Sequence, residues 1–215
     1  MMKLIVFIVA SYLLGAVPFG LLIAGIHGID LRKVGSGNIG ATNLSRALSK
    51  KWAYVCFALD FLKGLLPVLA TGFWLGEISQ TKGLVIQLAI GIAAVLGHIF
   101  PIYLRFRGGK GVATSFGVAV GLWPYYTVCA GVALLVWVAF VLIWQYVSLA
   151  SIAASVAFPV AFVLAIAVLP GWRFSELWPL LMVAIGVPLL VFLRHRQNID
   201  RLLAGTENKV FQKNS

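Results

Sequence analysis

The chain has 215 residues, 61% of them hydrophobic and 11% charged, with a mean hydropathy of +1.01 and a formal net charge of +11. That much apolar surface cannot be hidden in one soluble core, so composition excludes a soluble globular domain and predicts an all-α integral membrane protein, a single domain over residues 1–215. The basic residues fall between apolar runs, which argues against nucleic acid, and Cys56 and Cys129 lie inside apolar runs without CxxC spacing, so no disulfide or metal is expected.

A hydrocarbon core about 30 Å thick needs about twenty helical residues per crossing. In chain order, the candidate spans are residues 4–26, 52–75, 84–104, 151–169 and 177–193. The first is read as a retained span, because its apolar run is longer than a leader's and no clean small-residue cleavage site follows it. Between the third and fourth lies an apolar stretch, Val112 to Val147, too long for one crossing. "GLWPYY", Gly121 to Tyr126, puts a helix-breaking proline and interfacial aromatics into that stretch and divides it into two crossings, giving about seven in all.

The charges orient these spans. With the N-terminus outside and the C-terminus cytoplasmic, the inside carries Arg32, Lys33, Arg46, Lys50 and Lys51, then Arg105, Arg107 and Lys110, then Arg194, Arg196, Arg201, Lys209 and Lys213. The outside keeps Lys3, Lys82 and Arg173, as the positive-inside rule requires.

Three cytoplasmic segments are rich in polar groups. The first, "VGSGNIGATNLSR", Val34 to Arg46, follows the first span. Its glycines, Gly37 among them, allow backbone amides to converge on an anion; Ser36, Asn38, Thr42 and Asn43 add neutral donors. Thr42 or Asn43 could cap a short helix carrying Arg46, aiming its N-terminus and a guanidinium at one anion. A plain glycine-rich turn between spans also accounts for this loop taken alone.

The second segment, "GHIFPIYLRFRGGKGVATSFG", Gly97 to Gly117, sets Lys110 between Gly109 and Gly111 after two arginines. It departs from the Walker A pattern at Leu104 and Gly111, so ATP is not expected, but glycines around a lysine suit a phosphoryl group. The third, "RHRQNIDRLLAGTENK", Arg194 to Lys209, places His195 and Asn198 on one helix face. The inside turn "YVSLAS" adds Ser148 and Ser151. Within the second span, Asp60 and Lys63 are spaced i, i+3, so each neutralises the other's charge in lipid; such a pair locks the bundle or touches a ligand. "GVAVG", Gly117 to Gly121, reads as a helix-packing step.

"GSGNIGATN", "GHIFPIYLRFRGGKGVAT" and "RHRQNIDRLLAGTENK", in that order, resemble the bacterial acyl-phosphate:glycerol-3-phosphate acyltransferases. The likeness runs from the first span through the tail. It implies a seven-helix, multi-pass enzyme of the bacterial inner membrane with its active site on the cytoplasmic side. Such an enzyme moves an acyl group from acyl phosphate to glycerol 3-phosphate and makes lysophosphatidic acid without a cofactor, acyl-CoA or acyl carrier protein; its partners are those two substrates and membrane lipid. The resemblance places Ser36, Gly37, Asn38, Thr42, Arg46, Lys110, Ser148, His195, Asn198 and Glu207 at the substrates. Acyl phosphate is already activated, so the departing phosphate, or a water ordered by Asn198 and His195, is expected to take the hydroxyl proton. A covalent Ser36 intermediate is disfavoured, since no base is adjacent in sequence and the context is not a GxSxG elbow.

His195 and Asp200 also match the spacing of acyl-CoA-dependent glycerolipid acyltransferases, which need a soluble α/β domain that this chain has no room for. The rival class is a membrane transporter or channel for a phosphorylated solute, with Asp60 and Lys63 on its pathway. Polar motifs on one side and no visible inverted repeat argue against it.

Overall fold

A computed structural model describes residues 2–75 and 80–210, so Lys213 lies outside the described residues. Every long regular element among them is a helix: α1 (Met2–Gly15), α2 (Phe19–Ile26), α3 (Ala41–Ala47), α4 (Lys50–Leu75), α5 (Gln80–Ile99), α6 (Val112–Gly121), α7 (Tyr125–Trp144), α8 (Val147–Val168), α9 (Phe174–Leu193) and α10 (Arg196–Leu203). Five are long and apolar enough to cross a bilayer, and α1 with α2, bent by 41°, makes a sixth candidate. The bend falls at Pro18, which has no N–H to continue the helix. The break expected within the Val112–Val147 stretch lies between α6 and α7, but α6 has only ten residues. At about 15 Å it is half the length of a crossing, so length alone assigns five or six spans and a seventh would rest on α6.

Contacts divide the chain into two units, Met1–Leu122 and Trp123–Ser215. In the first, small residues let backbones meet, which is how apolar helices gain packing where lipid removes the hydrophobic drive between them. A Cβ on Gly117 of α6 would stand 2.0 Å from the Phe61 carbonyl oxygen of α4, and one on Gly64 of α4 would stand 2.2 Å from that of Thr114. Gly15 and Gly97 play the same reciprocal part between α1 and α5. Hydrogen bonds lock these faces: Ser11 Oγ donates to Ile90 O (2.8 Å) and Thr114 Oγ1 to Asp60 O (3.0 Å).

In the second unit α7 and α8 form a tight hairpin. Gln145, in the left-handed region at φ 64°, closes α7 with its N–H on Val141 O, and α8 begins two residues later. Tyr126 stacks edge-on against Phe158 and Phe162 and donates its hydroxyl to Leu180 O on α9. Prolines 67, 159, 179 and 188 sit inside spanning helices; Thr71 Oγ1 donates to Pro67 O at 2.7 Å, the back-bond to the i−4 carbonyl that helical threonines make. Apolar side chains such as Phe73 (89% exposed) and Leu135 (71%) face outward, toward lipid.

Candidate functional site

The loop from Val34 to Arg46 is built around Asn43, which is 1% exposed. Its Oδ1 accepts from Ser36 N at 3.0 Å, and its Nδ2 donates to Leu31 O (3.1 Å), Val34 O (2.9 Å) and Asn38 O (2.9 Å). Asn43, expected to meet an anion, is therefore the internal strut of the loop. Nor does Thr42 or Asn43 cap α3: both lie inside it, and Gly40 stands at the cap with no side-chain bond. Gly35 and Gly37, at φ +58° and +68°, make turns that L side chains resist. The Gly37 amide is spent on Val34 O (3.0 Å) rather than left for a ligand.

What the loop presents is Ser36, Asn38, Thr42 and Arg46. Asn38 Oδ1 accepts from Gly40 N at 2.9 Å, which sets the roll of its amide and leaves Nδ2 as the donating end. The stem of Arg46 lies over Gly35, its Cδ 3.8 Å from where a Cβ would be.

Beneath the loop lies a buried ionic cluster. Asp60 Oδ1 is 2.7 Å from Lys63 Nζ and 3.7 Å from His98 Nδ1, and the side chains of Asp60, Lys63 and His98 are 5%, 2% and 7% exposed. Cys56 Sγ approaches Asp60 Oδ2 at 3.7 Å. Lys63 Nζ donates to Val17 O (2.8 Å) at the α1–α2 bend and lies 5.5 Å from the centre of the Phe19 ring. Asp60, Lys63 and His98 line a narrow cleft with Val17, Phe19 and Ile39. Ile39 belongs to the polar loop, so the ion pair predicted from spacing sits directly below it. Sequence reasoning leaves Cys56 as an inert thiol in an apolar run and assigns His98 no role; the available signal is a histidine at the end of an apolar run that precedes a lysine-glycine loop.

That second loop is clamped to the end of α5. Gly108 N donates to Ile99 O and Gly109 N to His98 O, both at 3.1 Å. The amide of Gly109 is therefore not one that converges on an anion. A Cβ on Gly109 would lie 2.3 Å from His98 Nε2, so only glycine lets the loop rest on the imidazole. Half-buried Lys110 follows, then Gly111 at φ +85°, the residue that opens α6.

The second unit holds a separate polar knot. Glu207 Oε1 accepts from Ser148 Oγ (2.9 Å) and Asn198 Nδ2 (2.8 Å), and Oε2 from Arg201 Nε (2.7 Å). Burial pushes this carboxyl up, but the bonds from Arg201, Asn198 and Ser148 outweigh it and hold the group below its ordinary range. Ser148 and Asn198, expected among the catalytic residues, thus spend these polar groups on the tail. Arg201, which sequence reasoning passed over, completes the knot. His195 is 2% exposed and donates Nδ1–H to Val191 O at 2.7 Å; because a carbonyl only accepts, this fixes the tautomer, and that proton does not go to Asp200. Among the described residues no group of three His, Cys, Asp or Glu is placed to hold a metal.

A sequence model of the family described as glycerol-3-phosphate acyltransferase matches residues 5–205. A glycerol-3-phosphate acyltransferase of Aquifex aeolicus is 42% identical over 209 residues, 97% of this chain and 100% of the relative. Another, from Geotalea daltonii, is 45% identical over 206 residues, 95% of this chain and 96% of the relative. The crystal structure of PlsY (YgiH), an integral membrane glycerol 3-phosphate acyltransferase, in its glycerol 3-phosphate form superposes with a TM-score of 0.82 at 40% identity, covering 98% of this chain and 100% of that one. Its lysophosphatidic acid form gives 0.79 at 39% identity, covering 96% and 95%.

Proposed function

The chain belongs to the glycerol-3-phosphate acyltransferase family, and on that premise we propose that it transfers a fatty acyl group from acyl phosphate to the 1-hydroxyl of glycerol 3-phosphate. The products are lysophosphatidic acid, which stays in the membrane, and phosphate. The observation that carries the reading is the near full-length likeness to a relative crystallised in a glycerol 3-phosphate form.

The chemistry asks little of the protein. Acyl phosphate is a mixed anhydride: the hydroxyl oxygen adds to the acyl carbon, the bond from that carbon to the phosphate oxygen breaks, and the ester forms. The hydroxyl proton goes to the departing phosphate, so atoms and charge balance without a protein base. Glu207, the carboxylate of the tail, is a poor base, because its three donors hold its pKa low. The protein's part is positioning and charge neutralisation. Arg46 and Lys110 supply positive charge to phosphoryl groups, and Ser36, Thr42 and the Asn38 amide donate hydrogen bonds. The Asn43 strut keeps those donors preorganised. His195 donates Nδ1–H to Val191 O, which fixes the orientation of its ring. Ser148, Asn198 and Arg201 support the tail through Glu207.

The active site lies on the cytoplasmic side of a bacterial inner membrane in this reading, where the basic loops are. Incubation of the purified protein in detergent with labelled glycerol 3-phosphate tests the donor. Acyl phosphate should yield lysophosphatidic acid, and acyl-CoA and acyl carrier protein should not. Comparable product from acyl-CoA, or none from acyl phosphate, would overturn the assignment.

A further inference from the structure

Four ionisable or nucleophilic side chains, Cys56, Asp60, Lys63 and His98, are buried within the first unit, and the transfer reaction as written uses none of them. Buried charges in a spanning helix are costly, so their arrangement calls for a function. Their contacts lead to the segment Gly109–Gly111 from both directions. On its N-terminal side, Gly109 N donates to His98 O, and the Gly109 backbone rests on the His98 imidazole, whose Nδ1 faces Asp60 Oδ1 at 3.7 Å. On its C-terminal side, α6 starts at Val112, and Thr114 Oγ1 donates to the backbone oxygen of the same Asp60 at 3.0 Å. Gly64, one residue after Lys63, packs against Thr114 O and closes the contact. Lys63 completes the layer by pairing with Asp60 at 2.7 Å and reaching Val17 O at 2.8 Å, which ties the α1–α2 bend to it.

We infer that Asp60 and His98 are positioning residues that hold both ends of the Lys110 loop and so set where the Lys110 ammonium meets a substrate phosphate. They act through the loop and do not touch the substrate. The inference rests on the reading of Lys110 as a phosphate-binding residue.

The test is a double-mutant cycle in steady-state kinetics on folded, monodisperse protein, varying glycerol 3-phosphate and acyl phosphate in turn. His98→Ala leaves the Asp60–Lys63 pair intact and removes the surface under Gly109. It should raise the KM for one phosphorylated substrate by about tenfold with kcat changed much less, because a displaced charge loses binding to ground and transition states alike. Combining it with Lys110→Ala should add nothing to the KM of Lys110→Ala alone, since the residue being positioned is gone. A merely structural role would instead multiply the two effects, and that result overturns the inference. Should His98→Ala fail to fold, His98→Gln carries the same cycle: it retains a bulky hydrogen-bonding side chain beneath the glycine and should recover most of the affinity, and His98→Leu should not. Equal behaviour of the Gln and Leu variants overturns the inference as well. If Lys110→Ala alone leaves both KM values at wild type, the phosphate-binding reading of Lys110 fails. If Lys110→Ala is defective while His98→Ala matches wild type, only the positioning inference fails.

Discussion

At the scale of single residues, the polar motifs divide into groups that present donors and groups that hold the presenters in place. Asn43 and Glu207 are of the second kind: Asn43 spends its side chain on several partners in and just before its own loop, and Glu207 ties Ser148 of α8 to Asn198 and Arg201 of α10. The folded Glu207 has a pKa below its ordinary value, so it favours the folded state while ionised. That contribution is complete above the unfolded value near 4.5 and is lost as pH falls through the lower folded value. Thermal unfolding of detergent-solubilised protein followed from pH 7 downward should therefore show a loss of stability below the ordinary carboxylate range. In Glu207→Gln the protein should start less stable and show a shallower acid dependence. An identical pH profile in wild type and variant would remove Glu207 from this role.

At the scale of elements, the first unit relies on helix pairs whose backbones touch. Gly117 of α6 faces the Phe61 carbonyl of α4, and that carbonyl is main chain and cannot rotate aside as a side-chain end could. A β-branched residue at this position must push α6 off α4, which would strain the Thr114–Asp60 bond one turn earlier. Overpacking of this kind costs about 1–3 kcal/mol in well-packed cores. Gly117→Val should lower the unfolding temperature by several degrees and reduce activity at the same time. Gly131→Ala on α7, where nothing lies within 4 Å of the added Cβ, serves as the control and should leave both near wild type. A Gly117→Val protein as stable as the control would show that α4 and α6 tolerate separation.

At the scale of the whole molecule, the distribution of Lys and Arg predicts sidedness. Single cysteines in place of Lys33, Arg107 and Thr206, all exposed, should react with an impermeant thiol reagent from the cytoplasmic side, and one in place of Arg173 from the outside. The native Cys56 and Cys129 are buried and should give little background. Labelling of the Lys33 and Arg107 positions from opposite sides would break the orientation. It would also leave the first two polar loops without a common compartment.

Class and approximate layout were legible in the sequence, because a bilayer is a uniform solvent that reads hydrophobic length and charge asymmetry without regard to folding detail. The Asp60–Lys63 pair came from its i, i+3 spacing, and the family likeness from the resemblance of three motifs in order to those of a known family. Tertiary structure decided the rest. Whether ten apolar residues at α6 amount to a crossing depends on where a helix stops, and whether residues 4–26 run straight depends on how Pro18 is accommodated. Above all, the division of labour among the polar residues was invisible in one dimension. Asn38 and Asn43 are the same residue type five positions apart, yet the Asn38 side chain accepts one bond, from Gly40 N, and Asn43 spends both ends of its amide inside the loop. His98 takes its place under Gly109 only because α5 ends where the chain turns back on it. A hydrogen bond is specified by distance and angle between groups far apart in sequence, and those are properties of the folded chain.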